Sequence, residues 1–186
     1  MTNVHIQLLQ IKEEFEPFLA WVRTQSPQRI LEIGTHQGGS AMHFCAIAPA
    51  LVVSVDLPEG MHGGLTAEQC EARNLMIQRT FPQFRSLLGS SHDPTIRARV
   101  VDLLAGQLFD GLFIDGDHTS VGVLQDYEWY APLVRPGGWI AFHDINDTDH
   151  HRSLGCDVAP VWQGLIGPKQ EFTVRGMWGG IGVLSV

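Results

Sequence analysis

A doubly wound α/β domain is what this sequence predicts, and three observations predict it. Strand-like and helix-like segments alternate along the chain, the pattern of an open sheet with helices on both faces. Several strand-like runs, LVVSVD (51–56) above all, are apolar and β-branched throughout, as strands covered on both sides must be. A glycine-rich turn, EIGTHQGGS (32–40), joins the first such run to the helix after it, where a parallel α/β sheet carries its ligand loop. With 186 residues, 44% of them hydrophobic, the chain has material for one core. Residues 1–28 read as N-terminal helices of the same domain, and 29–186 as its body.

The elements follow in order. Ile11, Phe15, Phe18, Leu19 and Val22 recur at helical spacing, with Pro17 placed to start a second helix. RILEIG (29–34) is a short buried strand, and residues 38–48 form a helix stopped near Pro49. After the strand 51–56 comes a Gly-rich loop. Thr66 and Gln69 then make a capping box for a helix over 67–79. Residues 84–88 are a third strand. Asp93 and Pro94 open a helix to about Leu104. FDGLFIDG (109–116) is a fourth strand, 121–133 a helix, RPGG (135–138) a sharp turn, and WIAFHD (139–144) a fifth strand. A short helix over 158–165 and strands near 172–175 and 181–186 complete about seven strands and six helices.

Composition excludes some functions. The net charge is −8 with no basic run, which argues against nucleic acid and against an anionic membrane surface. The apolar stretch 44–55 is interrupted by Pro49 and too short to span a bilayer. Residues 1–14 carry two glutamates where a signal peptide would carry its apolar core. Cys45, Cys70 and Cys156 form no CxxC pair and no zinc spacing, and read as reduced thiols. A soluble cytoplasmic protein is expected; a homo-oligomer is compatible with it.

Two groups of residues carry chemistry. The GxxxGG spacing of Gly34, Gly38 and Gly39 lets backbone approach a ligand but is not the GxGxxG of dinucleotide enzymes. Glu32 ends the first strand and Asp56 the second, where an acid suits a cofactor with cationic or hydroxyl-bearing parts. Asp115, Asp117 and His118 follow the fourth strand, and His143 and Asp144 end the fifth. Neighbouring parallel strands lie about 4.8 Å apart, so Asp115, His118, His143 and Asp144 can converge on one site. Carboxylates with imidazole suit a divalent cation. The plainer alternatives are a packed His143, a helix-capping His118, and Asp126 as a structural partner of this loop. His150 and His151 read as a solvated loop, with extra ligands or part of a lid as the alternatives, and Tyr127, Trp129 and Tyr130 as helix packing, with the lining of an acceptor pocket as the alternative. Residues 59–65 and 146–156 read as lid segments.

EIGTHQGGS, VDL, FDGLFIDGDH and RPGGWIAFHD together resemble successive motifs of class I S-adenosylmethionine-dependent methyltransferases. The IDGDH, PGG and HD set resembles the branch of macrolide-sugar and rhamnosyl O-methyltransferases and cephalosporin hydroxylase-like proteins. The resemblance implies a Rossmann-like seven-stranded sheet, mostly parallel with the last strand antiparallel. It implies that Glu32, Gly34, Thr35, Gly38, Gly39 and Ser40 surround the methionine part of the cofactor and that Asp56 binds the ribose. Ser90, Ser91 and His92 would lie near the adenine, with Asp115 beside the cofactor. Asp115, His143 and Asp144 would hold a metal, Mg²⁺ or Mn²⁺ before Fe²⁺; His143 departs from the acid expected at its place. His118 would be the base, with Asp115 beside it, for methyl transfer to a hydroxyl of a sugar, phenol or natural product. The alternatives are a cofactor-binding module without efficient catalysis and a metal-dependent hydroxylase or hydrolase.

Overall fold

A computed structural model describes residues 5–60 and 64–186. Its order is α1 (Lys12–Thr24), β1 (Arg29–Ile33), α2 (Gly39–Cys45), β2 (Leu51–Asp56), α3 (Ala67–Thr80), β3 (Phe84–Leu88), α4 (Pro94–Leu104), β4 (Phe109–Ile114), α5 (Ser120–Tyr130), β5 (Val134–His143), α6 (Asp149–Leu154), α7 (Val158–Gly164), β6 (Lys169–Phe172) and β7 (Ile181–Ser185). A 3₁₀ turn, Ala131–Leu133, joins α5 to β5.

The seven strands form one sheet in the order β3-β2-β1-β4-β5-β7-β6. The first five run parallel, and β7 runs antiparallel between β5 and β6. The expected seven-stranded sheet with an antiparallel β7 is what forms. The chain reverses its direction of winding at β1 and β4. Ligands of open α/β sheets bind at such a reversal, beyond the carboxyl ends of the strands.

Alternate strand residues feed two cores. Leu31, Val53, Leu112 and Ile140 face α4, α5 and α7 on one side. Ile30, Val52, Phe113 and Trp139 face α1, α2 and α3 on the other. Strict alternation fixes the register, because a one-residue slip would exchange the faces. Gly111 of β4 is required by this packing: a Cβ there would enter the Trp139 indole.

Four local expectations are corrected. Residues 12–24 form one helix with Pro17 inside it, because Phe15, Phe18, Leu19 and Val22 bury one continuous apolar face. Arg135-Pro136-Gly137-Gly138 belongs to β5 as an irregular entrance, where the register with β4 shifts between Phe109 and Gly111. The strand placed at 172–175 lies at Lys169–Phe172, since β7 pairs Leu184 with Lys169 and Ile181 with Phe172. The segment 146–156, expected to be a lid loop, contains α6, capped by the Thr148 hydroxyl on the His151 amide at 3.2 Å. Of the other lid segment, 59–65, residues 61–63 lie outside the described residues.

Candidate active site

The turn after β1 is built from below. Glu32 is fully buried, and its two carboxylate oxygens accept the hydroxyls of Ser40 and Ser54. Ser54 in turn meets the Thr35 hydroxyl at 2.5 Å. Burial raises the Glu32 carboxyl to about 7, against the opposing pull of these hydroxyls. Glu32 lines neither hollow described below. It is a prop beneath the loop, whereas its place in the sequence suggested cofactor contact.

Gly34 has φ +88°, and a Cβ on it would overlap the Asp115 carbonyl. Here the β1 and β4 ends close on each other, with Asp115 N–H donating to the Ile33 carbonyl at 2.8 Å. Gly38, at φ +82°, would direct a side chain at Ile77 and Arg73, and Gly39 would direct one at the Leu8 backbone. These three glycines are required by the protein's own packing, before any ligand is considered.

Asp56 ends β2 on the wall of the first hollow but is heavily engaged. Its Oδ1 accepts the amides of Thr35 and His36 at 3.1 and 3.3 Å. Its Oδ2 accepts Arg73 Nη1 at 2.7 Å and faces the Cys70 thiol at 3.6 Å. Arg73, on α3, is fully buried. It also donates to the His36 carbonyl and to Asn74 Oδ1. Sequence reading missed Arg73: an arginine on a helix reads as solvated, and only tertiary contact with Asp56 shows otherwise.

The loop after β3 completes this hollow. Ser90, Ser91 and His92 line it, with Gly34, His36, Asp56, Leu57 and residues 115–118, around a cleft of ≈ 890 Å³. Tyr130 supports the loop by donating its hydroxyl to the Ser91 carbonyl at 2.7 Å. His92 Nε2 lies 3.1 Å from buried Asp126, whose carboxyl burial raises to about 6.

A second hollow of ≈ 710 Å³ shares Gly34, His36, Asp115 and His118 with the first. Gln7, Leu9, Gln10, Ser40, His143, Asp144 and Trp178 form its other walls. Gln10 Nε2 donates to Asp115 Oδ2 at 2.7 Å. No motif announced this contact, which spans most of the sheet's sequence.

The strand-end residues do converge. His118 Nε2 lies 3.4 Å from Asp115 Oδ1 and 3.1 Å from Asp144 Oδ2. His143 Nδ1 lies 3.2 Å from Asp115 Oδ1 and 3.1 Å from Asp144 Oδ1. His151 joins them: it is buried, with Nε2 3.3 Å from Asp144 Oδ1. The solvated-loop reading of His151 is therefore corrected, because α6 turns it inward.

Electrostatics follow from this crowding. Burial alone would strip the proton from His118, but Asp115 and Asp144 outweigh it and hold the imidazole at about 10. His143 is likewise held well above its ordinary range, against burial, by the same carboxylates. Burial would raise Asp115 and Asp144, yet the histidines hold both below the usual carboxylate range. Asp115, His118 and Asp144 each present one donor atom, all within 4.8 Å of one another. In this group His118 stands where the sequence reading placed His143.

Residues 31–145, which hold both groups, match the family model described as "Methyltransferase domain". The chain belongs to this methyltransferase-domain family. The family assignment and the fold confirm the class I resemblance read from the motifs. Among curated relatives, a rhamnosyl O-methyltransferase of Mycobacterium bovis is 27% identical over 154 residues, covering 78% of this chain and 57% of that protein. The chain spans little more than half of that relative, and 18% of a longer Sinorhizobium fredii protein, y4gI. Among solved structures, the O-methyltransferase TomG from Streptomyces achromogenes in complex with SAM has TM-score 0.65 and 18% identity. The match covers 100% of this chain and 83% of that one. MycE from the mycinamycin biosynthetic pathway, in complex with Mg, SAH and mycinamycin VI, has TM-score 0.56 and 17% identity over 92% of this chain and 48% of that one. Such identities establish a shared fold for this family member.

Proposed function

We propose that the chain transfers a methyl group from S-adenosylmethionine to a hydroxyl of a small molecule, a sugar, phenol or natural product. The observation that carries this reading is that two hollows meet at Asp115 and His118. One suits a nucleoside and the other an acceptor. Their junction supplies carboxylates and an imidazole where a proton must leave.

In the first hollow Asp56 would receive the ribose hydroxyls. The partners that ribose would displace are its longest, the Cys70 thiol and the His36 amide. Ser90, Ser91 and His92 would border the base, and the 34–40 backbone the methionine end. The bound cofactor supplies an electrophilic methyl group. The protein's task is to align the acceptor oxygen with it and remove the hydroxyl proton. Asp115, His143 and Asp144, with His118 beside them, would hold a divalent cation, Mg²⁺ or Mn²⁺, whose charge makes an acceptor hydroxyl easier to deprotonate. The carboxylates fit a hard cation, and the Mg in the MycE complex supports the choice.

His118 acts as base only once its carboxylates are engaged by something other than its own proton. The two carboxylate oxygens already facing its Nε2, at 3.4 and 3.1 Å, favour a second reading, a cofactor-binding module with slow transfer. Calorimetry with S-adenosylmethionine and a methyl-transfer assay, each with and without Mg²⁺ or Mn²⁺, separate the two. Tight binding with metal-dependent turnover is expected, and His118→Ala should keep cofactor affinity and lose rate by about 10²–10⁴. Binding without turnover on any hydroxyl acceptor selects the module; no binding overturns both. The same reading places the protein in the cytoplasm, where the free thiols Cys45, Cys70 and Cys156 are stable.

A further inference from the structure

We propose that Asp144, His151 and Cys156 form a binding site for a borderline divalent cation of the zinc class. The site shares Asp144 with the oxygen-rich set proposed above but differs from it in His151 and Cys156, and it does not rest on the methyl-transfer reading. One donor atom from each of the three lies within 4.8 Å of the other two. All three come from one short segment. Asp144 follows β5 in a left-handed conformation, φ +63°. His151 lies on α6. Gly155 caps α6 at φ +70°, and the Cys156 amide donates to the His151 carbonyl at 3.0 Å, which returns the thiol to the histidine.

The orientation of His151 points to a ligand. Its Nδ1 donates to the Asn146 carbonyl at 2.6 Å, which fixes the ring and turns Nε2 inward. Metal-bound histidines are held in this way by a carbonyl or carboxylate on the far nitrogen. Nε2 and Asp144 Oδ1 are both buried without a hydrogen-bond partner among the described residues. The two side chains are only 5% and 9% exposed. Nε2 faces that carboxylate oxygen at 3.3 Å. That separation is the edge of a tetrahedron around an ion with N and O ligands at roughly 2.0–2.1 Å.

The donor set selects the ion. A thiolate with imidazole and one carboxylate disfavours Mg²⁺ and Ca²⁺ and suits Zn²⁺ or Co²⁺. Three protein ligands leave one position for water. Binding releases the Cys156 thiol proton, so affinity rises with pH. Asp144 links the two sets: Oδ2 faces His118, and Oδ1 faces both His143 and His151.

Cobalt titration of the chelator-treated full chain tests the proposal. One equivalent of Co²⁺ should give a thiolate-to-metal charge-transfer band in the near ultraviolet and intense tetrahedral bands in the visible, and Zn²⁺ should abolish both. Cys156→Ser should lose the charge-transfer band, and His151→Ala should weaken Co²⁺ by at least about 10–100-fold, the scale known even for outer-shell partners. Should either variant fail to fold, mass spectrometry of the alkylated wild type decides: saturating Zn²⁺ should protect Cys156 from iodoacetamide. Absence of the thiolate band in wild type, its persistence in Cys156→Ser, or alkylation of Cys156 unaffected by Zn²⁺ would overturn the proposal. Cofactor binding, read by calorimetry, is unaffected by any of these outcomes and judges the methyl-transfer reading separately.

Discussion

The two acidic regions of the site contrast sharply. Around Glu32, Asp56 and Arg73, every carboxylate oxygen has protein partners: hydroxyls below the loop, amides within it and a guanidinium behind it. Around Asp144, the nitrogens of His143, Nε2 of His151 and one carboxylate oxygen are buried without hydrogen-bond partners among the described residues. A satisfied buried network rigidifies a scaffold, whereas unpaired buried groups are costly and are kept where a ligand will pair them. On the proposed reading, the first region frames the nucleoside hollow, and the second is where chemistry or cations would act.

The largest effect should come from the frame. Gly34→Val places a side chain on the Asp115 carbonyl at a positive φ, so stability should fall by at least about 4 kcal/mol in urea unfolding. Loss of cofactor binding in a fully stable Gly34→Val protein would show that the glycine serves the ligand instead. Arg73→Met should cost about 3–5 kcal/mol, since it leaves Asp56 partly buried without its cation. A cost below about 1 kcal/mol, on the scale of an exposed pair, would mean that solvent reaches Asp56 freely.

The cluster should respond to pH. His118 is held at about 10 against an ordinary 6.5. A histidine with a raised folded pKa stabilises fully below its unfolded value and loses that contribution as pH rises through the folded one. Stability should thus decline between about 6.5 and 10, and in Asp144→Asn the decline should end at lower pH and be smaller. Thermal melts across this range, in chelator, check it; identical profiles would detach His118 from Asp144. The smallest effect belongs to Glu32, raised from 4.5 to about 7. Its contribution is present below 4.5 and is lost as pH rises through about 7. Glu32→Gln, which keeps an acceptor for the serine hydroxyls, should flatten the profile in that window while leaving the fold intact.

The sequence by itself determined the strands and their alternation. Runs such as LVVSVD are long enough and apolar enough that only a buried strand accommodates them, and β2, β3 and α4 lie where their residues placed them. Capping chemistry is equally local: Thr66 with Gln69, and Asp93 with Pro94, start their helices as read. Strand ends also placed Asp115, His118, His143 and Asp144 in one site, because parallel neighbours bring their carboxyl ends together. Tertiary structure alone decided the rest. Pro17 stays inside α1 because a buried apolar face outweighs one missing hydrogen bond. Glu32 turns from ligand to prop because Ser40 and Ser54, distant in sequence, take both its oxygens. Arg73, Gln10 and His151 enter the site through contacts across the fold or through a six-residue helix, and no local pattern encodes a partner that only folding supplies.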